Sequence, residues 1–554
     1  MTSTSVSTTL LNARRLADLA GSIAEAARAR AADATERGGR LDDHQAMAER
    51  LALIATEARA AGHLVAYAER LSSTGRADGI AEDQALVYAA DLANRLVASM
   101  GAHPDDFAGA TEIDGDARQL IRDGLNDGRI QALGRHAIAS FGVNNSELFD
   151  EGAAQTRQFA RQFAKQELLR EDNGEAIADR IHREDLLVPE SWIRQFAELG
   201  FFGSSVPESY GGTEMGYLTM IVLTEELSQA SLVAGSLLTR AEILTRALLE
   251  GGTEEQKQHW LPKVASGEVL VGISVTEPDV GSDVESVQCK ATPGTRGGKD
   301  GWLLNGAKAW CTFAGRANVL ALLARTDPDI SKGRRGLSLF IVPKDAFDGH
   351  TFEMRQPDGG VMTGEAIPTP GYRGMHSYIL NLEDYFVPAE NLVGGAAGEG
   401  RGYYLTLGGF AIGRLQTGGR ALGVAQAALE KACSYVTQRV QFGRAIGEYQ
   451  LTQHRIGMMA TRIAAARQLT YDVARSTDPS ARAPLGPAMA KLFASDVAVE
   501  STQAAQLLHG GWGYAEEDRI TRYVADALVL PIFEGVKAIL ELRVIAKSLV
   551  AGSA

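Results

Sequence analysis

A carboxylate near the end of the chain has neighbours that suit acid–base chemistry. The segment LPIFEGVKAI places Glu534 among apolar residues and directly before Gly535. Burying a carboxylate is unfavourable unless the group is paired or used. Glu534 is therefore either an anion that complements the dipole at a helix N-terminus or a catalytic base in a pocket that excludes water. The segment alone favours the first interpretation.

A loop of small residues in the middle of the chain offers a second set of chemical groups. In SVTEPDVGSD, Val275 and Thr276 leave a predicted strand, and Gly281 and Ser282 follow in a loop. Hydroxyls and exposed backbone N–H groups at such a place can hydrogen-bond a flat heterocycle or a phosphate. A capped turn with no ligand would have the same composition, so this segment alone leaves both interpretations open.

An aromatic ring and a hydroxyl follow at strand spacing. In NGAKAWCTFAG, Trp310 and Thr312 are two residues apart. Residues at this spacing on a strand share one face, so an indole and a hydroxyl would lie side by side against a planar ligand. The alternative is an ordinary half-buried strand.

Two glycine-containing segments in the last quarter of the chain complete the candidate set. RVQFGRAIGEYQ combines Arg439, whose planar fork suits pyrophosphate, with the stacking surface of Phe442 and the amide of Gln450. LLHGGWGYAEE contains Gly511, where the missing side chain permits close backbone approach. Each segment alone is weak support for a site.

The elements that must position these groups are predicted from periodicity. Apolar residues three to four apart predict helices before residue 268 and after about residue 400, and short β-rich runs between turns predict an antiparallel sandwich or barrel between them. Four domains are predicted: a helical extension (1–140), an α-domain (141–268), a central β-domain (269–390) and a C-terminal α-domain (391–554). A ligand site is expected where the β and α layers meet.

Composition narrows the class of function. The chain has 554 residues, 45% of them apolar and 22% charged, and a net charge of −14. This acidic balance argues against nucleic acid or an anionic membrane as the main partner, and no apolar stretch is long enough to be inserted into a membrane. The three cysteines are scattered and form no CxxC pair, so neither a disulfide framework nor a metal site is expected. A cytoplasmic location is the default interpretation.

Taken in order, the motifs resemble those of the acyl-CoA dehydrogenase family from about residue 146 to the end. TEPxxGSD, NGxKxW, RxxFGxxIxxxQ, HGGxGY and the terminal EGxxxI occur in the family's order and spacing. The resemblance implies a mainly α fold with a central β-domain. It comprises an N-terminal α-domain, a β-barrel or sandwich, and a C-terminal four-helix bundle. The N-terminal helical extension lies outside this family plan.

The resemblance also implies the cofactor and the roles of individual residues. FAD is expected between the β-domain and the C-terminal helices, with a neighbouring subunit closing the site, so the protein should be a homo-oligomer, either a dimer or a tetramer. The residues expected to contact FAD are Val275, Thr276, Gly281, Ser282, Trp310 and Thr312, joined by Arg439, Phe442, Gln450 and Gly511 from the neighbouring subunit. The residues expected to contact the acyl-CoA are Ser282, Phe410, Arg414 and Gly535.

Glu534 matches the family's catalytic base. The implied reaction is α,β-dehydrogenation of an acyl-CoA thioester, in which Glu534 removes the α-proton, the flavin accepts the β-hydride, and electrons pass to electron-transferring flavoprotein. An acyl-CoA oxidase, a short- or branched-chain acyl-CoA dehydrogenase with another substrate, and a non-catalytic homologue are the alternatives. The chain departs from the family pattern at Val536, where threonine is usual, and at Leu507, where glutamine is usual.

Three features suggest the acyl group. The N-terminal extension, TRAEI at 239–243 and the GYRGMHSY segment look like the branch of the family that converts (2S)-methylsuccinyl-CoA to mesaconyl-CoA in the ethylmalonyl-CoA pathway. A second carboxylate on the substrate needs a cation, and Arg240 is expected to supply it. The alternative for Arg240 is a surface or interdomain salt bridge to a nearby acid such as Glu242, and Arg373 and His376 are competing cations.

Overall fold

The computed structural model describes residues 7–143, 147–172, 174–477 and 485–552, which form two compact units. The first unit combines both ends of the chain, Met1–Gln155 and Thr417–Ala554, and the second is Thr156–Gln416. No helix among the described residues is both long and apolar enough to cross a membrane.

The N-terminal extension is helical, as predicted. Its helices are α1 (Thr8–Ala34), α2 (Gln45–Ser73), α3 (Gly79–Ala102), α4 (Gly115–Gly124) and α5 (Asp127–Ala139). Polar side chains begin several of them: the Ser7 hydroxyl accepts the N–H of Leu10, and the Asp78 carboxylate accepts that of Ile80. These caps satisfy N–H groups that have no partner within a helix. The buried faces are mostly alanine and leucine.

The second unit begins with short helices. They are α6 (Glu151–Phe163), which starts in the first unit, α7 (Ile177–Arg183), α8 (Glu190–Glu198), α9 (Tyr217–Ala230), α10 (Leu232–Leu237), α11 (Glu242–Gly251) and α12 (Glu254–Ala265). A two-stranded ribbon, β1 (Glu171–Asp172) and β2 (Glu175–Ala176), precedes α7. Thr253 and Gln256 form a capping box at the start of α12, exchanging side-chain and backbone hydrogen bonds.

The β-rich region forms one curled, eight-stranded sheet. Its strands are β3 (Val271–Ser274), β4 (Lys290–Arg296), β5 (Lys299–Thr312), β6 (Val319–Arg325), β7 (Leu337–Pro343), β8 (Thr351–Arg355), β9 (Val361–Ala366) and β10 (Ser377–Pro388). The order is β3-β6-β4-β5-β10-β9-β8, and β7 also pairs with β6. Pairing is mostly antiparallel, as expected, but β3 runs parallel to β6. A parallel pair needs a long crossover, and residues 275–318 supply it.

Long helices follow the sheet, and the chain re-enters the first unit at Thr417. The elements are α13 (Gly402–Gln438), the hairpin β11 (Val440–Gln441) and β12 (Arg444–Ala445), α14 (Gln450–Ser476), α15 (Leu485–His509), α16 (Arg519–Ala527), α17 (Lys537–Ile539) and α18 (Lys547–Ala551). A π-helical turn, Leu540–Ala546, joins α17 to α18. The predicted fold class, mainly α with a central β-domain and an N-terminal helical segment, is confirmed.

Glycines allow the extension to pack closely on α14. A Cβ on Gly134 of α5 would lie 1.8 Å from the carbonyl oxygen of Gln453, and one on Gly457 would lie 2.2 Å from that of Ile130. No side chain fits at such distances, so these two helices cross with their backbones in contact. The extension is thereby an integral part of the first unit.

Candidate active site

A buried ion pair fixes the loop that follows β3. Lys308 on β5 is fully buried, and its Nζ donates to Glu277 Oε1 at 2.8 Å and to the carbonyl oxygen of Val275 at 3.0 Å. The Glu277 carboxylate also accepts the backbone N–H groups of Gln288 and Cys289, both at 2.8 Å. Because both charges are hydrogen-bonded, their burial is tolerated. The loop is held at both of its ends.

The sequence analysis did not identify this ion pair, although Glu277 lies in the TEPxxGSD motif and Lys308 in the NGxKxW motif. The signal was a lysine and a glutamate within otherwise apolar, β-rich segments. Charged residues are rarely fully buried unless they are paired, so the two could have been matched as partners across the sheet.

The same loop lies against β5 at the residues predicted to face a flavin. The carbonyl oxygen of Thr276 accepts the N–H of Ala309 at 2.9 Å, and Glu277 and Val280 exchange backbone hydrogen bonds in a tight turn. Gly281 and Ser282 follow on the exposed side of this turn. The structure therefore brings Val275 and Thr276 next to the end of β5.

Trp310 and Thr312 lie at that end of β5. The Trp310 side chain is 55% exposed, Cys311 is fully buried, and Thr312 is half-buried, with its hydroxyl 2.9 Å from that of Ser377. Trp310 has φ +56, at a bulge where pairing with β10 shifts register. An exposed indole beside hydroxyls is suited to stacking on and hydrogen-bonding a planar ring. These residues fit a flavin.

The start of α13 packs against this loop. Phe410 contacts a buried cluster that includes Val275 and Val280. At the preceding residue, a Cβ on Gly409 would lie 2.6 Å from Ile243 Cα, so α11 and α13 approach closely. Arg414 follows one turn after Phe410 and is half-buried. Phe410 and Arg414 thus lie in the second unit, as does the predicted flavin-contacting loop, whereas Gly535 belongs to the first unit.

Arg240 is buried between α10 and α11. Its side chain is enclosed in the unit, with Nε donating to the carbonyl oxygen of Ser236 at 3.2 Å and Nη2 lying 3.5 Å from the Thr239 hydroxyl. Glu242 pairs instead with Arg246, at 3.1 Å. Within the described parts of the chain, no carboxylate lies within 4.0 Å of Arg240. The alternative ion pair with Glu242 is therefore not formed.

The two competing cations are engaged elsewhere. His376 Nε2 lies 3.1 Å from Asp185 Oδ1, and Arg373 Nε lies 3.6 Å from the same oxygen. The Arg373 guanidinium also donates to the carbonyl oxygens of Thr369 and His182. Both side chains already lie beside the Asp185 carboxylate, whereas the partners of Arg240 are a carbonyl and a hydroxyl, so Arg240 is the stronger candidate for a substrate carboxylate.

In the first unit, Glu534 lies in an irregular turn between α16 and α17. Its φ is +55 and that of Gly535 is +105, both in the left-handed region. Val536 is the N-cap residue of α17, and no side chain makes a capping hydrogen bond there. The buried Lys491 of α15 donates to the carbonyl oxygen of Gly535 at 2.7 Å. Glu534 is thus a half-buried carboxylate on a strained, pinned turn.

The residues predicted to reach a neighbouring subunit are exposed in the first unit. Phe442 is 96% exposed at the tip of the β11–β12 hairpin, with φ +52, and Gly443 follows with φ +83. Arg439 precedes the hairpin and Gln450 begins α14, and both are exposed. A large ring so fully exposed is unusual for a residue of this type.

Gly511 lies in the turn Gly510–Tyr514 that follows α15. A Cβ on Gly511 would meet nothing within 4 Å. Gln506 donates to the carbonyl oxygen of Gly513 at 2.9 Å and so shapes this turn, while Leu507, which replaces the family's glutamine, is exposed.

The sequence matches family profiles along most of its length. The matches are to the acyl-CoA dehydrogenase N-terminal domain at residues 150–268, the middle domain at 272–385 and the C-terminal domain at 400–550. The chain belongs to the acyl-CoA dehydrogenase family. The predicted family and its class, an acyl-CoA oxidoreductase, are confirmed.

Individual relatives of this acyl-CoA dehydrogenase agree with that assignment. (2S)-Methylsuccinyl-CoA dehydrogenase of Cereibacter sphaeroides is 37% identical over 527 residues, covering 92% of this chain and 91% of the relative. Glutaryl-CoA dehydrogenase in complex with glutaryl-CoA is 31% identical, with a TM-score of 0.65 over 73% of this chain and 96% of the other. Butyryl-CoA dehydrogenase from Megasphaera elsdenii is 29% identical, with a TM-score of 0.64 over 74% of this chain and 98% of the other.

Family membership also confirms the cofactor prediction, because members of the acyl-CoA dehydrogenase family bind FAD. The extension is covered as well by the match to the Cereibacter sphaeroides relative, whereas the two solved structures match about three quarters of the chain.

Proposed function

We propose that this acyl-CoA dehydrogenase oxidises a short branched dicarboxylic acyl-CoA, (2S)-methylsuccinyl-CoA, to mesaconyl-CoA, as in the ethylmalonyl-CoA pathway. The observation that carries the proposal is the buried guanidinium of Arg240, with no carboxylate within 4.0 Å in the described chain. A buried cation without a counter-ion is costly, and a substrate carboxylate would remove that cost. The similarity to the Cereibacter sphaeroides enzyme supports the same substrate.

Glu534 is the proposed base that removes the α-proton. It sits on a pinned turn, which limits the loss of orientation during proton transfer. The backbone N–H of Glu534 is the proposed donor to the thioester oxygen, where negative charge develops as the α-proton leaves. Gly535, which lacks a side chain, allows that backbone to approach the thioester closely.

When bound, FAD supplies the hydride acceptor for the β-carbon. Val275, Thr276, Gly281, Ser282, Trp310 and Thr312 are the proposed residues that hold it. The exposed indole of Trp310 would stack on its planar ring system, and the hydroxyl of Thr312 would offer it a hydrogen bond. Phe410 and Arg414 are the proposed contacts to the CoA moiety, with Ser282 beside the thioester.

The proposed assembly is a homo-oligomer in which Arg439, Phe442, Gln450 and Gly511 reach the FAD of a second copy. The support is the almost complete exposure of Phe442 on a defined hairpin. Sedimentation analysis should give a dimer or tetramer. Phe442→Ser should reduce FAD content or weaken the assembly, and a monomer with full FAD occupancy would contradict this proposal.

The test of the reaction is an anaerobic flavin spectrum of the purified protein before and after adding (2S)-methylsuccinyl-CoA. Bleaching of the flavin bands, with butyryl-CoA much less effective, is expected. Glu534→Gln should remain yellow and lose turnover by about a hundred- to ten-thousand-fold. Failure to bleach with any acyl-CoA would refute dehydrogenation, and bleaching only with butyryl-CoA would refute the substrate.

Arg240→Gln tests the carboxylate clamp separately. Loss of a charge-assisted hydrogen bond should reduce the preference for methylsuccinyl-CoA over butyryl-CoA by at least about tenfold, with butyryl-CoA activity retained. Arg246→Gln is the matched control, because Arg246 is a partly buried arginine on the following helix α11 that is already paired with Glu242. An unchanged preference in Arg240→Gln would exclude Arg240 as the clamp.

Electron-transferring flavoprotein is the proposed electron acceptor. Reduced enzyme should be reoxidised by that flavoprotein much faster than by air-saturated buffer. The opposite order of rates would identify an acyl-CoA oxidase.

A further inference from the structure

Two histidines and an aspartate from distant parts of the second unit converge outside the residues assigned to catalysis. Asp185 follows α7, His350 directly precedes β8, and His376 directly precedes β10. One ligand atom from each lies within 4.8 Å of those of the other two. The rings of His350 and His376 have centroids 4.5 Å apart. His376 is buried, whereas His350 is exposed.

We propose that Asp185, His350 and His376 bind one divalent transition-metal ion, of the Zn²⁺, Co²⁺ or Ni²⁺ class. Two imidazoles and a carboxylate are a ligand set that suits these ions. Three protein ligands leave a fourth position for water, as in open zinc sites. Such an ion would tie the GYRGMHSY segment to α7 and to the start of β8.

The present separations need only a small adjustment for an ion to bind. Zinc–nitrogen bonds of about 2.0–2.1 Å require ligand atoms of one ion to lie within about 4.2 Å of one another. His376 Nε2 and Asp185 Oδ1, 3.1 Å apart, already meet this limit. His350 is exposed, so its side chain can rotate to close the remaining distance.

The surrounding fold holds two of the three proposed ligands in an uncommon backbone conformation. Asp185 and His376 both adopt positive φ, +54 and +37, a conformation tolerated by these residue types and held here by the surrounding fold.

The positive charge of Arg373 opposes the binding of a metal ion and lowers the expected affinity. Its Nε lies 3.6 Å from Asp185 Oδ1, so a dication would sit near a guanidinium. Two backbone carbonyls hold that guanidinium in place. We therefore expect binding that is specific but weaker than at zinc sites without a neighbouring cation. The hydrogen bond between His376 and Asp185 could form without His350. A metal site accounts for the ring of His350 beside them, because it gives that ring a role as the third ligand.

The test is titration of tag-free holoprotein with Co²⁺, followed at wavelengths beyond the flavin bands, and then competition by Zn²⁺. One equivalent of Co²⁺ should produce a ligand-field band, which Zn²⁺ should abolish. Zn²⁺ should also raise the melting temperature, because an ion that binds only the folded state stabilises it. These readouts do not depend on catalysis.

His350→Ala is the decisive variant, because this exposed side chain can be removed without disturbing the core. It should abolish the band and the melting shift, or weaken binding by at least about tenfold. His259→Ala is the matched control, since His259 is an exposed histidine of the same unit that lies outside the cluster. No band in the parent protein, or an equal band in His350→Ala, would overturn the proposal.

Discussion

The buried pair Lys308–Glu277 offers a direct test of how the fold presents the flavin-binding loop. Substituting Lys308 by methionine keeps a long unbranched side chain, shorter by one atom, and removes the charge. Glu277 would then retain only its two backbone donors and would stay buried with an uncompensated charge, and the Val275 carbonyl would lose its donor. Removing one partner of a buried ion pair typically costs about 3–5 kcal/mol.

Part of that cost should appear in FAD affinity, because the loop that carries Val275 and Thr276 is proposed to contact the cofactor. If only about 1.4 kcal/mol couples to binding, the Kd for FAD rises tenfold. Lys308→Met should therefore purify with less FAD, bind added FAD more weakly and melt at a lower temperature. Lys290→Met, an exposed lysine on the neighbouring strand β4, is the matched control.

The double variant Lys308→Met/Glu277→Gln separates charge from geometry. Glu277→Gln alone leaves an unpaired buried ammonium, so both single variants should be strongly destabilised. The double variant removes both charges, and its destabilisation should be smaller than the sum of the two by about 0.5–3 kcal/mol. Additive effects, or a Lys308→Met protein with wild-type FAD affinity and stability, would refute this account of the loop.

Three further predictions concern the first unit. Burial raises the pKa of Glu541 to about 7, opposed by Lys537 and reinforced by Asp496 and Glu49. The folded state therefore binds the extra proton, so the free energy of unfolding should fall as pH rises from about 4.5 to 7. Glu541→Gln should remove this slope in denaturant titrations, and an unchanged slope would assign it to another group. Gly457→Ala, which forces a side chain into the contact between α5 and α14, should cost about 1–3 kcal/mol. Gly62→Ala, in open space on α2, should be neutral or mildly stabilising in the same titration. Lys491→Met should reduce kcat by up to about a hundredfold while FAD content is kept, because the turn that carries Glu534 loses its hydrogen bond to Lys491. A wild-type kcat would show that this turn keeps its conformation without the lysine.

The sequence predicted those features that depend on short-range patterns. Apolar spacing indicated the helices of the extension and of the C-terminal region, and β-rich runs between turns indicated the strands around Trp310. The five motifs indicated the family. Each of these signals lies within a few residues of chain, and the apolar and β-rich patterns also repeat with the period of a helix or strand.

Features that depend on long-range partners could not be predicted in the same way. The parallel pairing of β3 with β6, the ion pair of Lys308 with Glu277, and the cluster of Asp185, His350 and His376 join segments far apart in sequence. No periodicity links these segments, so the pattern that predicted the helices and strands could not show that they meet. Positive φ at Trp310 and Glu534 was also hidden, because bulky non-glycine residues rarely adopt it.

Two buried lysines perform the same task in the two units. Lys308 donates to the carbonyl oxygen of Val275, and Lys491 donates to that of Gly535. Each anchored segment carries residues proposed to act in catalysis or FAD binding, and each lies beside or includes a non-glycine residue with positive φ, Trp310 or Glu534. Such backbone costs about 1–3 kcal/mol and persists only where surrounding contacts enforce it. A fully buried ammonium is a strong donor that water does not compete for, so it can enforce that backbone. Lys491 thus anchors the residue directly after Glu534, and Lys308 anchors the loop that lies against β5 at Ala309, next to Trp310. The loss of each lysine should affect the function of its own segment: FAD binding for Lys308 and turnover for Lys491.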